Sequence, residues 1–275
     1  MPIKIATWNI NGVRARIDNL LAWLKESSPD IVGLQEIKTI DEGFPRAEIE
    51  ALGYHVETHG QKGFNGVALL SKIRPDEVTR GLPGGDGDEQ SRFIEGVFSV
   101  EGGVIRFCSL YLPNGNPPDD PVKYPYKLSW MDRFIAFAED RLALEEPLIL
   151  AGDYNVIPEP HDCWDVKVWQ KDALYLPPTR QAFRRLENLG LTDAVRASSD
   201  AAPLYTFWDY QGGCWPKNFG IRIDHLMLSA EASDRLVSTA VEKHVRNWEK
   251  PSDHVPVVAG AGKRARAKTK RRPRA

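Results

Sequence analysis

Short apolar runs recur along the chain and predict a protein built largely from buried strands. Polar residues or Gly- and Pro-rich stretches such as Pro83–Gly87 and Pro113–Pro125 separate the runs, as is typical of strands joined by turns. The predicted strands are Ile3–Trp8, Ile31–Leu34, Gly66–Leu70, Phe93–Val100, Val104–Leu110, Leu148–Ala151, Arg222–Leu228 and Val255–Ala259.

Three other segments carry apolar residues at helical spacing. The first predicted helix is Asn19–Glu26, with Asp18 as a candidate N-cap residue, and the second is Lys127–Leu144. The third is Thr179–Leu189, followed by a glycine that tolerates the left-handed conformation common after a helix. Strands outnumber helices and do not alternate with them regularly. The pattern therefore predicts a single α+β domain with sheets covered by helices.

The composition is that of a soluble globular protein. Of 275 residues, 42% are hydrophobic and 27% charged, and the length allows a substantial core. There is no apolar run long enough to cross a bilayer and no basic-then-apolar leader, so we expect no membrane partner and a cytoplasmic location. Cys108, Cys163 and Cys214 lack CxxC spacing, which indicates a reducing compartment and argues against a zinc cluster. We expect a monomer by default.

The net charge of −2 is distributed unevenly. Eight of the 36 basic residues lie in the last thirteen, from Lys263, which contain no acid, so the remaining 28 face 38 acidic residues and give the body about −10. We divide the chain into a domain over residues 1–261 and a disordered basic tail over 262–275. The tail is expected to bind nucleic acid by releasing counterions, so its deletion should weaken DNA binding and its salt dependence. The alternative is a tail that only aids solubility.

Acidic residues end or interrupt several of the apolar runs. Asp153 and Asn155 follow the run that ends at Ala151, and Glu36 follows Ile31–Leu34. Asp224 lies in "RIDHLML", and "SDH" at 252–254 precedes the last run. Buried carboxylates are costly unless they are paired or bind a metal, and Mg²⁺ usually takes one or two of them. The repetition predicts a metal-assisted hydrolase of phosphate esters, although a single Ser-Asp-His tripeptide is a weak signal.

Several other polar residues are candidates for the same site. Asn9 and Asn11 could bind a cation or a phosphate oxygen, but an Asx turn explains them equally well. Tyr111 could donate its phenol to a phosphate or simply lie at the edge of the core. Asn114 follows in a turn. Basic candidates for contacts with backbone phosphates are Arg92, Lys123, Lys127 and Arg222.

Aromatic residues are dense between positions 205 and 219. They are Tyr205, Phe207, Trp208, Tyr210, Trp215 and Phe219, with Gly212, Gly213 and Gly220 among them. Such a cluster can form core, wall a pocket for a flipped sugar, or enter a duplex as a wedge. The glycines favour a loop, and loops with many aromatics more often bind ligands than merely pack.

Seven motifs, in order, identify the chain by resemblance. They are "WNINGVRAR", "GLQEIK", "GQKGFNGVALLSK", "YLPNG", "GDYNV", "RIDHLML" and "SDHVPV". The set resembles the exonuclease III family of bacterial AP endonucleases, within the deoxyribonuclease-I-like endonuclease/exonuclease/phosphatase superfamily. The resemblance covers about Lys4 to Val258. It implies a four-layer αββα sandwich of two mixed sheets.

The resemblance also implies a role for each matching residue. It implies a metal site at Glu36 with Asn9 and Asn11, to which Asp153, Asn155 and Asp253 would contribute, taking Mg²⁺ with Mn²⁺ as a substitute. Asp153 would align the attacking water, while Asn155 and Tyr111 would contact the phosphate. Asp224 would protonate the leaving group or hold a second metal, and Asp253–His254 would form a carboxylate–imidazole pair. Ile221, where the family often has a larger residue, would lie with Phe207 and Trp208 at the abasic sugar. Independently of the resemblance, Arg92, Asn114, Lys123 and Arg222 are candidate DNA contacts.

The implied activity is repair of double-stranded DNA. It comprises incision on the 5′ side of abasic sites, 3′-to-5′ exonuclease action and removal of 3′-blocking groups. Two alternatives stay open: a phosphoesterase of the same superfamily acting on inositol phosphates or sphingolipid, and a non-catalytic DNA-binding protein.

Overall fold

The computed structural model describes residues 3–101 and 103–262. Two six-stranded sheets form its centre, in the orders β11-β12-β1-β2-β4-β3 and β5-β6-β7-β8-β10-β9. The strands are β1 (Ile3–Asn9), β2 (Ile31–Gln35), β3 (His55–His59), β4 (Val67–Ser71), β5 (Glu77–Arg80), β6 (Phe93–Val100), β7 (Gly103–Tyr111), β8 (Leu148–Asp153), β9 (Thr192–Asp193), β10 (Asp224–Leu228), β11 (Leu236–Val241) and β12 (Val257–Ala261). Each sheet contains one parallel pair, β1 with β2 and β7 with β8, and is otherwise antiparallel. Nearly the whole predicted tail lies outside the described residues.

Helices cover the outer face of each sheet. The α-helices are α1 (Ile17–Ser27), α2 (Arg46–Glu50), α3 (Lys123–Leu142), α4 (Val166–Trp169), α5 (Pro177–Glu187), α6 (Ala194–Ser198), α7 (Cys214–Lys217) and α8 (Ala230–Ser233), and 3-10 turns occupy Val13–Arg16, Asp41–Gly43, Pro160–Asp162 and Lys243–Asn247. Trp23 of α1 packs edge-on against Trp8 of β1, and Phe137 of α3 packs against Phe93 of β6. The layers therefore run helix, sheet, sheet, helix, and the implied αββα sandwich is confirmed.

Strand alternation decides what fills the space between the sheets. Successive side chains of a strand point to opposite faces, so in β1 Ile5 and Thr7 face the second sheet while Trp8 faces the helices. The inner layer is apolar near Ile5 and becomes polar toward the strand ends. There the Gln35 amide donates to the Thr7 hydroxyl at 3.0 Å and to the Ser109 hydroxyl at 2.9 Å. The polar end of this layer forms the base of the site described below.

All the apolar runs predicted as strands are strands; Phe93–Val100 has the predicted bounds, and the ends of the others are shifted. The strands that the pattern missed are the short or exposed ones at sheet edges, β3, β5, β9 and β11, whose polar side chains break the apolar signal. The Asp18 N-cap prediction is wrong: α1 begins at Ile17, and no side chain caps it. The helix α3 starts a turn before the predicted Lys127, because Pro125 is tolerated in a first turn where its missing N–H is not needed.

The described residues bear on two expectations, the state of the cysteines and the presence of membrane-spanning helices. All three cysteines are free thiols, and Cys108 and Cys163 are buried. None of the helices among these residues combines the length and the apolar character that crossing a bilayer requires.

Candidate active site

Strand ends from both sheets meet at one edge of the sandwich. Asn9 ends β1, Tyr111 ends β7 and Asp153 ends β8, while Asp224 begins β10 directly opposite Asp153 in the antiparallel register. Glu36 follows β2 with φ +49°, a left-handed conformation that L-residues rarely adopt and that turns the chain sharply there. Side chains separated by most of the sequence thus converge at one place.

Three ionisable side chains form the centre of the site. Ligand atoms of Glu36, Asp153 and His254 all lie within 4.8 Å of one another. The amide nitrogen of Asn9 donates to Glu36 Oε1 at 3.0 Å and to Asp153 Oδ2 at 2.9 Å, and so holds the two carboxylates side by side. Asn9 therefore presents a donor, and not its oxygen, to this cluster. In this arrangement it orients carboxylates and is not itself placed as a metal ligand.

Glu36 lies among donors that favour its charged form. Burial alone would raise the pKa of Glu36, but Lys38, whose Nζ is 2.9 Å from Glu36 Oε2, and the Asn9 amide together lower it. The same ammonium bonds the Asn11 side-chain oxygen at 2.5 Å, so that oxygen is already engaged. Burial, together with the negative charge of Glu36, raises the pKa of Tyr111 well above its usual value. Tyr111 is therefore a phenol, and its O–H is a donor beside Glu36.

His254 pairs with Asp224, which corrects the sequence prediction of an Asp253–His254 pair. His254 Nδ1 lies 2.9 Å from Asp224 Oδ2, and the Thr206 hydroxyl donates to the same oxygen at 2.6 Å. Burial would lower the pKa of His254, but Asp224 and then Asp153 outweigh it and raise the pKa to about 10. Asp253 instead accepts from the Asn11 amide at 2.9 Å. Asp224 thus keeps the imidazole protonated, and Asp253 lies at the cavity wall.

Asn155 is fixed by a set of hydrogen bonds to its neighbours. Its main-chain N–H donates to Asp153 Oδ1 and its amide nitrogen to the Leu112 carbonyl, both at 2.9 Å. Its side-chain oxygen accepts from the Asn114 amide at 3.0 Å. Burial raises the pKa of Asp153, and the positive charge of His254 opposes that effect. The Asp153–Asn155 turn is therefore a rigid end to β8.

A cavity of about 260 Å³ opens over these groups. Its lining residues are Glu36, Tyr111, Asn114, Asn116, Asp153, Asn155, Trp169, Asp172, Leu174, Phe207, Asp209, Ile221, Ile223, Asp253 and His254. One wall is apolar, and on it the Phe207 ring packs 4.9 Å from the His254 ring, centroid to centroid. Trp169, Leu174 and Asp172 were missed by sequence reasoning because they lie in a loop and a one-turn helix without a recognisable motif. Thr206 was missed because its buried hydroxyl has no signature in sequence.

Several candidate DNA contacts lie elsewhere than predicted. Trp208 is wrong as a pocket residue: it is fully buried, and its indole donates to Asn218. Lys127 is wrong as a phosphate contact because it is fully buried as well. Arg92 lies beside the site, with its guanidinium 4.8 Å from the centre of the Tyr111 ring. Lys123 is exposed and pairs with Asp120, so it remains a candidate at the periphery.

Arg222 is wrong as a phosphate contact because it is the centre of a buried ion network. Only 2% exposed, its guanidinium bonds both carboxylate oxygens of Asp162, the carboxylate of Asp193 and His225 Nδ1. Burial alone would raise the pKa of each carboxyl, but Arg222 lowers the pKa of both. The network fixes the chain immediately before Asp224.

Replacing Arg222 by Met is expected to lower the free energy of unfolding at pH 7 by about 3–5 kcal/mol, because Asp193 loses its arginine partner and Asp162 keeps only Arg196. Their lowered folded-state pKa values stabilise the fold above pH ~4, and this contribution is lost as the pH falls through those values. The difference in the free energy of unfolding between variant and wild type should therefore become smaller at acidic pH. Urea titrations at several pH values measure it. The control is Arg185→Met, which removes an exposed pair with Asp132 and should cost less than about 1 kcal/mol.

The central cluster has the donor chemistry of a metal site. Carboxylate oxygens of Glu36 and Asp153 face the same space, which suits a hard divalent cation that takes one or two carboxylates and fills its remaining positions with water or phosphate. Asp224 Oδ1 is a further buried carboxylate oxygen, without a hydrogen-bond partner in the described part of the chain. The residues present therefore fit a metal ion.

Comparisons with known proteins agree with this geometry. Residues 6–254 match the model of the endonuclease/exonuclease/phosphatase family, and the chain belongs to that family, which is metal-dependent. It is a hydrolase and a nuclease. It is 36% identical over 264 residues to exodeoxyribonuclease III of Haemophilus influenzae, covering 94% of this chain and 99% of that protein.

Solved structures show the same likeness. A structure of the 3′ phosphatase NExo from Neisseria bound to a product DNA hairpin is similar at a TM-score of 0.89 and 35% identity, covering 94% of this chain and 98% of that one. An AP endonuclease from Archaeoglobus fulgidus is similar at a TM-score of 0.88 and 34% identity, over the same shares of the two chains. The sequence-based assignment to the exonuclease III family is confirmed.

Proposed function

We propose that this protein is a Mg²⁺-dependent DNA-repair nuclease that acts as a monomer on double-stranded DNA. Its reactions would be incision on the 5′ side of abasic sites, removal of 3′-blocking groups and 3′-to-5′ degradation from duplex ends. The observation that carries the proposal is the meeting of Glu36, Asp153 and His254 at the base of a cavity with an apolar wall. The names of the similar proteins, an exodeoxyribonuclease III, a 3′ phosphatase and an AP endonuclease, support each reaction in turn.

The chain's own residues would divide the work of phosphodiester hydrolysis. Asp153 holds the attacking water in line with phosphorus and accepts its proton. His254, protonated by virtue of Asp224, donates to a non-bridging phosphate oxygen, and the Tyr111 phenol is a second donor. As the new P–O bond forms, the bond from phosphorus to the 3′ oxygen breaks. That oxygen takes up a proton from solvent water and leaves as a 3′-hydroxyl.

Glu36 and Asp153 would hold the metal, with Mn²⁺ able to replace Mg²⁺. The bound ion would supply neutralisation of the charge that builds on the phosphate oxygens. Asn9 keeps the two carboxylates adjacent, and Lys38 keeps Glu36 ionised. These contacts prepare the carboxylates for a cation.

The apolar wall supports a preference for an abasic nucleotide. Phe207, Ile221 and Leu174 offer a surface for a sugar. An abasic nucleotide has no base to unstack, so moving it out of the helix costs little free energy. We therefore propose that these residues receive the abasic sugar while its 5′ phosphate lies at His254.

Three labelled substrates test the proposed function. One is a duplex with a single tetrahydrofuran abasic mimic, the second is the same duplex without the mimic, and the third carries a 3′ phosphate. With Mg²⁺ or Mn²⁺ we expect a single internal cut, stepwise shortening and release of phosphate, respectively, and no reaction with chelator. An inositol phosphate serves as the comparison substrate. Its hydrolysis, with all three DNA substrates left intact, would contradict the proposal and favour the phosphoesterase alternative.

A further inference from the structure

Lys127 is a buried ammonium directly beneath the catalytic residues. It lies in the second turn of α3 and is completely shielded from solvent. Its Nζ donates to the main-chain carbonyl of Asn114 at 3.0 Å and to that of Asn155 at 2.6 Å. Among residues 3–101 and 103–262 no carboxylate forms an ion pair with it. Burial lowers the pKa of Lys127 to about 7, and the negative charges of Asp153 and Asp172 oppose this shift.

The two carbonyls belong to the segments that carry the asparagines of the site. The Asn114 segment follows β7, the Asn155 segment follows β8, and the two side chains bond each other at 3.0 Å. The two segments are therefore linked twice. The side chains of Asn114 and Asn155 bond each other, and the Lys127 ammonium bonds both main-chain carbonyls. Gly115 turns over the lysine stem with φ +86°, and a Cβ there would lie 2.7 Å from Lys127 Cδ. The loop is shaped around this one side chain.

A lysine that only stabilised the fold would not need to bond the carbonyls of these two segments. A buried ammonium without a carboxylate pays a large desolvation cost, and apolar side chains of similar volume often stabilise a fold better. Here the cation instead fixes the spacing of two loop segments whose side chains line the reactive cavity. Small displacements of groups that position a substrate reduce rates strongly, so a cost in stability can be retained for catalysis.

We propose that Lys127 is a positioning residue: its ammonium ties the Asn114 and Asn155 segments together and thereby holds the Asn155 side chain where the phosphate is bound. Lys127 does not touch the substrate and acts only through these two segments. The inference rests on the proposed nuclease function.

Lys127→Met, which keeps the apolar stem and removes the donor, tests the proposal. On the abasic duplex we expect kcat to fall about 10²-fold and KM to change less than about threefold, because docking is retained while the asparagine moves. In a background of Asn155→Ala, the same substitution should change kcat less than about threefold, since the residue through which it acts is gone. Lys127→Gln, with a shorter neutral donor, should recover part of the rate.

A matched control and three contrary outcomes make the test decisive. Lys4 donates to the main-chain carbonyl of Ser27 at 2.6 Å near the start of β1, far from the site, so Lys4→Met should leave kcat unchanged. Overturning results would be a Lys127→Met enzyme with wild-type kcat, equal losses of kcat with and without Asn155, or failure of both Lys127 variants to fold, which would assign the residue to stability alone. A wild-type protein inactive on DNA would instead refute the proposed function, whatever the relative kcat values of the Lys127 variants.

Discussion

Asp153→Asn is expected to lower kcat on an abasic duplex by about 10⁴-fold or more and to leave the fold intact. The substitution removes the carboxylate that would align the water and, with Glu36, hold the metal. It also places a second amide against that of Asn9, which now donates to Asp153 Oδ2. Because burial raises the pKa of Asp153, the folded state carries its charge at a cost at neutral pH. The metal-free variant should therefore unfold at the same temperature as the wild type or higher.

Two measurements separate catalysis from stability for this variant. Steady-state cleavage gives kcat, and thermal unfolding with and without Mg²⁺ gives the metal-dependent rise in Tm, which the wild type should show and Asp153→Asn should largely lose. The control is Asp76→Asn, which removes an acid whose carboxylate accepts from the Ser99 N–H in an exposed loop. If Asp153→Asn cleaved within tenfold of the wild-type rate, another group would have to align the water.

Asp224→Asn should lower kcat by about 10²- to 10⁴-fold by removing the anion that keeps His254 protonated. In the wild type, Asp224 is the main cause of the rise in the His254 pKa to about 10. Without it, burial favours the neutral imidazole, which cannot serve as a cationic donor. The residual activity of the variant should decline as the pH rises through the lowered pKa of His254, whereas the wild type keeps its donor throughout neutral pH.

The pH dependence of kcat and imidazole nitrogen resonances would together measure this effect. Glu26→Gln is a matched control, because it removes a carboxylate 2.9 Å from His244, in a pair at the surface. That variant should retain both wild-type kcat and its pH profile. An Asp224→Asn enzyme with an unaltered pH profile would show that Asp224 acts in some other way, such as by protonating the leaving group.

The sequence pattern was sufficient for the centre of the fold and insufficient for its edges. Strands such as Ile31–Gln35 and Leu148–Asp153 are buried on both faces, so they appear as continuous apolar runs. Edge strands such as His55–His59 and Leu236–Val241 are partly exposed, and their residues alternate without a clear apolar signal. The stacking of the two sheets followed from the family resemblance, since strand order depends on contacts that no local window records.

Within the site, residue types were predictable but their partners were not. The carboxylates that follow apolar runs correctly indicated which acidic residues lie together in the site. Adjacent residues of an extended chain point to opposite sides, so Asp253 and His254 take different partners although they are neighbours in sequence. The same alternation puts Phe207 at the cavity and Trp208 in the core. Sequence reading without register could not separate the members of these pairs.

The position of β1 affects when the site can form during synthesis of the chain. This first strand lies between β2 and β12, so its sheet is complete only after the chain has been synthesised beyond Ala261. His254 lies just before β12 and reaches the carboxylates only then. A nascent polypeptide in which the segment from His254 to Ala261 has not yet been synthesised therefore lacks an assembled centre, and the nuclease becomes competent only once this segment has been added.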